Sequence, residues 1–141
     1  MMKKMILASL GATLMLAQVA QAAPAAGCPA AAFPAFFPKF ADSAAVQKAF
    51  TDYPLAHVLL DHAAKPGPRE IKVQVTKAKL AFPLIPPAQE RKRAKLALRI
   101  DEAGATSARA TLLNEDKGYQ MVYIFRKDAC WKLERIEDRS L

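Results

Sequence analysis

Between residues 33 and 40 the large apolar positions fall at i, i+3, i+4 and i+7 and are all phenylalanine: Phe33, Phe36, Phe37 and Phe40. That spacing puts four rings on one face of a helix. Pro34 and Pro38 lie inside the pattern. Pro34 suits a first turn, but an interior proline costs about 3 kcal/mol, so the stretch predicts a broken or kinked helix. Rings in such a stripe belong to a core more often than to a ligand wall. Ser43 can cap a second helix with Val46, Ala49 and Phe50 inward, and Pro54 limits its run.

Further along, the period changes from that of a helix to that of a strand. "PLAHVLLDH" is an apolar run compatible with a buried strand or a helical turn, and "KPGPRE" is a turn by composition. Ile71, Val73 and Val75 alternate with Lys72, Gln74 and Thr76, which predicts a half-buried strand. "FPLIPP" breaks the pattern, and Pro87 can open a short helix through Ala94. Leu96, Leu98 and Ile100 alternate, "DEAGA" turns the chain, "SARATLLN" follows, and "EDKG" turns it again. Tyr119, Met121, Tyr123 and Phe125 share a face. After a turn at Lys127 to Ala129, "CWKLERI" puts Trp131 and Leu133 together. The second half reads as an antiparallel meander. Helices followed by a run of strands predict an α+β domain, with N-terminal helices packed on a curved antiparallel sheet.

The start of the chain stands apart from this pattern. Lys3 and Lys4, the apolar run from Met5 to Ala17, and the small-x-small site Ala20, Gln21, Ala22 predict a secretory signal peptide over residues 1–22. The apolar run falls short of the roughly 20 residues of a spanning helix. Cleavage after Ala22 leaves one exported domain, residues 23–141, with a periplasmic or secreted location. Lipoprotein processing at Cys28 is the alternative: Gly27 suits it, whereas Ala25 and the distance from the apolar run do not. The formal net charge of +8 stays positive once Lys3 and Lys4 are removed, which favours anionic surfaces or acidic envelope proteins as partners. Export, and the lack of an aromatic RNA-binding motif or a recognition helix, exclude nucleic acid. No later segment is apolar and long enough to form a transmembrane helix.

Cys28 and Cys130 are the only cysteines. In an oxidising compartment they are expected to pair and close a loop of about 100 residues, worth up to ~4.7 kcal/mol in the chain-entropy model. Two buried free thiols are the alternative. Neither cysteine has the Cys-x-x-Cys partner or basic helix-start setting of a redox thiol.

Certain words occur in a telling order: a helical "FxxFFxxF" stretch, "YPL", "FPLIP", "GYQMVYIF" and a closing "CWKLERIEDRSL". Together they resemble uncharacterised exported bacterial proteins of the nuclear-transport-factor-2-like, or cystatin-like, fold, over residues 33–141. The ending is the most specific part, with Cys130, Trp131, Ile136, Glu137, Asp138 and Ser140. The resemblance implies a cone, in which helices rest in the hollow of a strongly bent sheet and Trp131 helps to close the core or the floor. It implies no activity, because the wider fold hosts isomerases, dehydratases and non-catalytic binders alike.

Candidate chemistry is sparse. His57, Asp61 and His62 form the one histidine–carboxylate cluster, and two or three such residues without a further ligand do not predict a metal site. No cofactor motif is present, and no catalytic residue is expected. An isomerase-type pocket would need a shielded carboxylate beside a donor, for which Asp61 with Tyr119 or Tyr123 is the nearest candidate. Ser140 near Asp138 lacks a positioned histidine for a triad. Arg91, Lys92, Arg93 and Lys95 are the densest charge run, which reads either as a solvated helix face or as a contact for an anionic partner. Glu137 and Asp138 beside Arg135 and Arg139 read as surface ion pairs, worth ~0–1 kcal/mol. The expected function is an exported, non-enzymatic binding or scaffold domain, of which an immunity or inhibitor protein is one version. The alternative is a small pocket enzyme of the isomerase or dehydratase type.

Overall fold

The computed structural model describes residues 27–102 and 104–141; the expected signal segment, residues 1–22, lies outside them. Two helices come first, α1 (Phe33–Ala41) and α2 (Ala44–Ala49), then the hairpin β1 (Thr51–Asp61) and β2 (Arg69–Val75). A connecting stretch carries the short helix α3 (Ala88–Arg93), and β3 (Ala97–Glu102), β4 (Ser107–Asn114), β5 (Tyr119–Lys127) and β6 (Trp131–Asp138) complete the chain. The six strands form one sheet in the order β2-β1-β6-β5-β4-β3. The predicted meander is therefore present from β3 to β6. The run "PLAHVLLDH", left open between strand and helix by its sequence, lies in β1 up to Asp61, with His62 in the turn that follows. One pairing departs from the antiparallel expectation: β1 runs parallel to β6. The chain enters β1 from α2 at the end where β6 begins, and the Leu133 N–H donates to the Phe50 carbonyl at that entry (2.8 Å).

The helix α1 is continuous through Pro38, contrary to the break its sequence predicts. The physical reason is which side each residue faces. Pro34 and Pro38 are exposed, so the carbonyl left without its N–H partner faces solvent. Phe33, Phe36, Phe37 and Phe40 are all buried. Each ring taken from water contributes about 1.5–3 kcal/mol, which together outweighs one interior proline. The rings enter the hollow of the sheet and meet Phe125 edge-on, at 5.1 Å from Phe33 and 5.2 Å from Phe40. Trp131 closes the same end, 5.0 Å from Phe33, and its indole N–H donates to the Ala31 carbonyl at 3.0 Å. Next to it Cys28 and Cys130 form a disulfide spanning 102 positions, with Cα atoms 5.4 Å apart. The pleat alternation then gives β4 its inward Ala108, Ala110 and Leu112, and β5 its inward Tyr123 and Phe125.

Pro54 is tolerated inside β1 because the ladder is interrupted there. Pairing with β2 starts only at Leu55, and the register with β6 shifts between Thr51 and Ala56. In α2 the cap is as predicted, with Ser43 Oγ accepting from the Val46 N–H at 3.3 Å. Val46 and Phe50 pack against the core as predicted, Ala49 is exposed, and the fully buried residue of the helix is one the pattern did not mark, Gln47. Its amide donates to the Ala41 carbonyl (3.2 Å) and the Ile85 carbonyl (3.1 Å), and its Oε1 accepts from the Leu84 and Ile85 N–H groups. One side chain thereby fastens the proline-rich stretch over the hollow. Gln47→Leu keeps the volume but leaves these amides and carbonyls buried without partners. The expected loss is at least ~2 kcal/mol on urea denaturation; a loss under ~0.5 kcal/mol would contradict this role.

Candidate functional site

The hollow has one filled end and one open end. α1 and Trp131 fill the end formed by the last residues of β5 and the first of β6. At the other end the register aligns Leu98 with Leu112, Met121 with Asp138, and Leu59 with Ile71. Leu59, Ile71, Val73, Leu98 and Ile100, all on the inner face, are about four-tenths exposed. They make an aliphatic mouth at the two edges of the sheet. Between them stand Tyr119 and Asp138. Burial, then the neighbouring Asp138 charge, pushes the Tyr119 phenol above its ordinary value, so it remains a donor through neutral pH. Tyr123, deeper in, is also pushed up, by burial first and then by Tyr119. Its hydroxyl donates to the Leu84 carbonyl at 3.0 Å, so it holds the covering stretch in place.

The carboxylate facing the tyrosines is thus Asp138, where the sequence suggested Asp61. Asp61 closes the β1–β2 turn: its Oδ1 accepts from the Ala63 N–H (3.0 Å) and its Oδ2 lies 3.9 Å from Arg69. The expected surface pairing of Glu137 and Asp138 divides accordingly. Glu137 turns outward and binds Arg135 (2.9 Å) and Arg139 (2.9 Å), and Arg139 also reaches Glu70 (2.8 Å). Burial raises the Glu137 pKa, but the hydrogen bonds and charges of Arg139 and Arg135 outweigh it and leave the carboxyl below its usual range. Asp138 turns inward, its Oδ1 accepting from the Ser140 N–H at 3.0 Å.

His57 and Asp61 share a face of β1, but His62 leaves it to lie 3.1 Å from the Ser140 carbonyl. Among the described residues no group of three metal-ligating side chains comes together. His57 lies on the inner face between Val73 and Ile136 in register, and its Nε2 is buried with no hydrogen-bond partner.

The basic run also divides. Lys92, Arg93 and Lys95 are exposed. Arg91 folds back: its guanidinium donates to the Pro86 carbonyl (2.6 Å), lies 3.9 Å from Asp42, and is 12% exposed. It braces the covering stretch, and only the other three are free to meet a partner. These three sit at the open end, since the carbonyl of Ala94 accepts from Asn114 at the last residue of β4 (3.2 Å). Among the described residues no helix is long and apolar enough to cross a membrane.

A crystal structure of an NTF2-like protein from Bacteroides fragilis matches this fold with a TM-score of 0.58 at 21% sequence identity, covering 77% of this chain. The chain spans about half the length of that protein, 47%. At that identity the likeness shows the fold alone: helices in the hollow of a bent, mostly antiparallel sheet, the NTF2-like arrangement. No protein-family model matches the chain, and no curated protein does.

The half-buried imidazole has a consequence for stability. Burial holds the His57 pKa below its ordinary value. As pH falls through the ordinary imidazole range near ~6.5, the unfolded chain takes up a proton that the folded chain refuses. The His57 contribution is therefore fully present above that range and declines as pH falls through it. Urea midpoints measured across that range should fall on the acid side, and His57→Leu should flatten this part of the curve. An unchanged slope in the variant would contradict the placement of the ring.

Proposed function

We propose that the chain is an exported, non-enzymatic binding domain of the bacterial envelope, its signal segment removed after Ala22. The partner is an envelope protein or anionic surface that meets the open end of the hollow, and an immunity or inhibitor protein is one concrete version. The observation that carries this reading is the division of the hollow. Its depth is taken up by Phe33, Phe36, Phe40, Phe125, Trp131 and Ile85, all buried. Its mouth keeps five large aliphatic side chains about four-tenths exposed. A substrate pocket needs depth for desolvation; an aliphatic mouth framed by Lys92, Arg93 and Lys95 suits a partner laid against it. The Cys28–Cys130 disulfide agrees with an oxidising compartment.

One observation favours the pocket-enzyme alternative: Asp138 faces a Tyr119 phenol held in its protonated form. A carboxylate and a donor on one inner face are what proton abstraction beside a carbonyl needs. Against it, the second phenol, Tyr123, is committed to the Leu84 carbonyl.

Binding of residues 23–141 to envelope extract separates the two readings. Leu98→Asp with Ile100→Asp, at exposed positions, should cut retention about tenfold, a 1.4 kcal/mol change, with little change in melting temperature. Lys92→Glu with Arg93→Glu should weaken it most at low salt. Asp138→Asn should leave retention intact. Retention unchanged in the first two variants would contradict the binding reading. A turnover of a carbonyl substrate lost in Asp138→Asn would favour the enzyme.

A further inference from the structure

The outer face of the sheet, away from α1, is a second surface with its own chemistry. Register places Arg99, Thr111, Val122, Glu137, Val58 and Lys72 in one row across all six strands. At about 4.8 Å per strand the row is roughly 24 Å long. Arg139 flanks it on one side, Arg109 and Arg135 on the other. Four shallow grooves of about 290 to 410 Å³ lie along it. Each shares arginines with the next: Arg99 and Arg139 line the first and fourth, Arg109 the third and fourth, Arg135 the second and third. They form one track from edge to edge.

The track has a built centre and unspent charge. Glu137, 13% exposed, fixes Arg135 and Arg139 from beneath. Val58, Val122 and Thr111 are buried as its floor. Arg99, Arg109 and Lys72 are exposed, and no described carboxylate lies within 4 Å of any of them. Asp101, opposite Arg109 in register, and Glu115, at the first groove, are the acids lining the track outside any described ion pair. Guanidinium groups present paired donors matched to carboxylate, sulfate and phosphate.

We propose that this track binds a polyanionic glycan, a sugar chain carrying carboxylate or sulfate groups, laid across the strands. Three features favour this occupant. The charge is a row rather than a point, which fits a repeating polyanion. The buried floor, Val58, Val122 and Thr111, carries no aromatic ring, and Tyr119 lines the first groove alone, so the cluster of Trp and Tyr anchors of a protein interface is missing. The charges line recessed grooves, which a flat bilayer would bridge and a flexible chain can enter. Thr111 and Gln120 add neutral hydrogen-bonding groups suited to sugar hydroxyls.

The proposal is independent of the mouth of the hollow, and the test keeps the two apart. A fluorescent heparin oligosaccharide is titrated with residues 23–141 and followed by polarisation. Arg99→Glu with Arg109→Glu and Lys92→Glu with Arg93→Glu change net charge equally, on opposite features. The expected result is salt-sensitive binding that the Arg99/Arg109 variant weakens at least ~10-fold and the Lys92/Arg93 variant leaves within about threefold. Equal loss in both variants would reduce the effect to net charge and overturn the proposal. So would no binding, or binding to vesicles containing anionic phospholipid and not to the oligosaccharide.

Discussion

Packing of the α1 phenylalanines into the bent sheet is the interaction on which the remainder depends. A nine-residue helix holding two prolines has no stability of its own. The sheet without it would leave Phe125, Leu112 and Leu133 facing water. Each therefore supplies what the other lacks, and the edge-on contacts of Phe125 with Phe33, Phe36, Phe37 and Phe40 mark the point of contact. The Cys28–Cys130 bond and the two donors on the Ala31 carbonyl, from Trp131 and Lys127, anchor the lead-in to α1 onto β6. They limit the freedom of the one helix that must stay seated.

That packing also sets what remains available for function. With one end of the hollow occupied by rings, the polar groups that matter lie at its margin. Gln47 satisfies the backbone of the covering stretch, Tyr123 holds that stretch from below, and Arg91 braces it at Pro86. All three side chains act on the cover. Tyr119, Asp138 and the edge aliphatics are left at the margin of the hollow, outside the cover. On the reverse of the sheet, Glu137 arranges arginines instead of taking part in the core.

Much of the fold was legible because its signals are periodic. The phenylalanine stripe marked α1, alternation marked β2, β3 and β5, the turns between them set off β4 and β6, and Trp131 beside Cys130 marked the closure of the core. The misreadings have particular causes. Pro38 read as a break because sequence does not show that its side of the helix faces solvent. Gln47 was missed because its burial depends on Leu84 and Ile85, which only the tertiary fold brings near. The parallel pairing of β1 with β6 joins segments some eighty residues apart, beyond any local pattern. Asp138 went unrecognised because Trp131 and Leu133 point inward, and simple alternation would carry that face to Arg135 and Glu137. The register instead skips Glu134 between the Ile124–Arg135 and Phe125–Leu133 pairs. That bulge reverses the faces, turning Ile136 and Asp138 in and Arg135 and Glu137 out.

The central claim is that rings fill the depth of the hollow and leave the mouth as the accessible part. Methyl NMR under xenon pressure tests it most directly, since xenon enters dry apolar cavities. The account predicts no saturable shifts at Leu55, Ile85, Leu112 and Leu133, with weak, linear responses confined to Leu59, Ile71, Val73, Leu98 and Ile100. Saturable shifts at Leu112 and Leu133 would reveal an enclosed pocket behind α1 and contradict it.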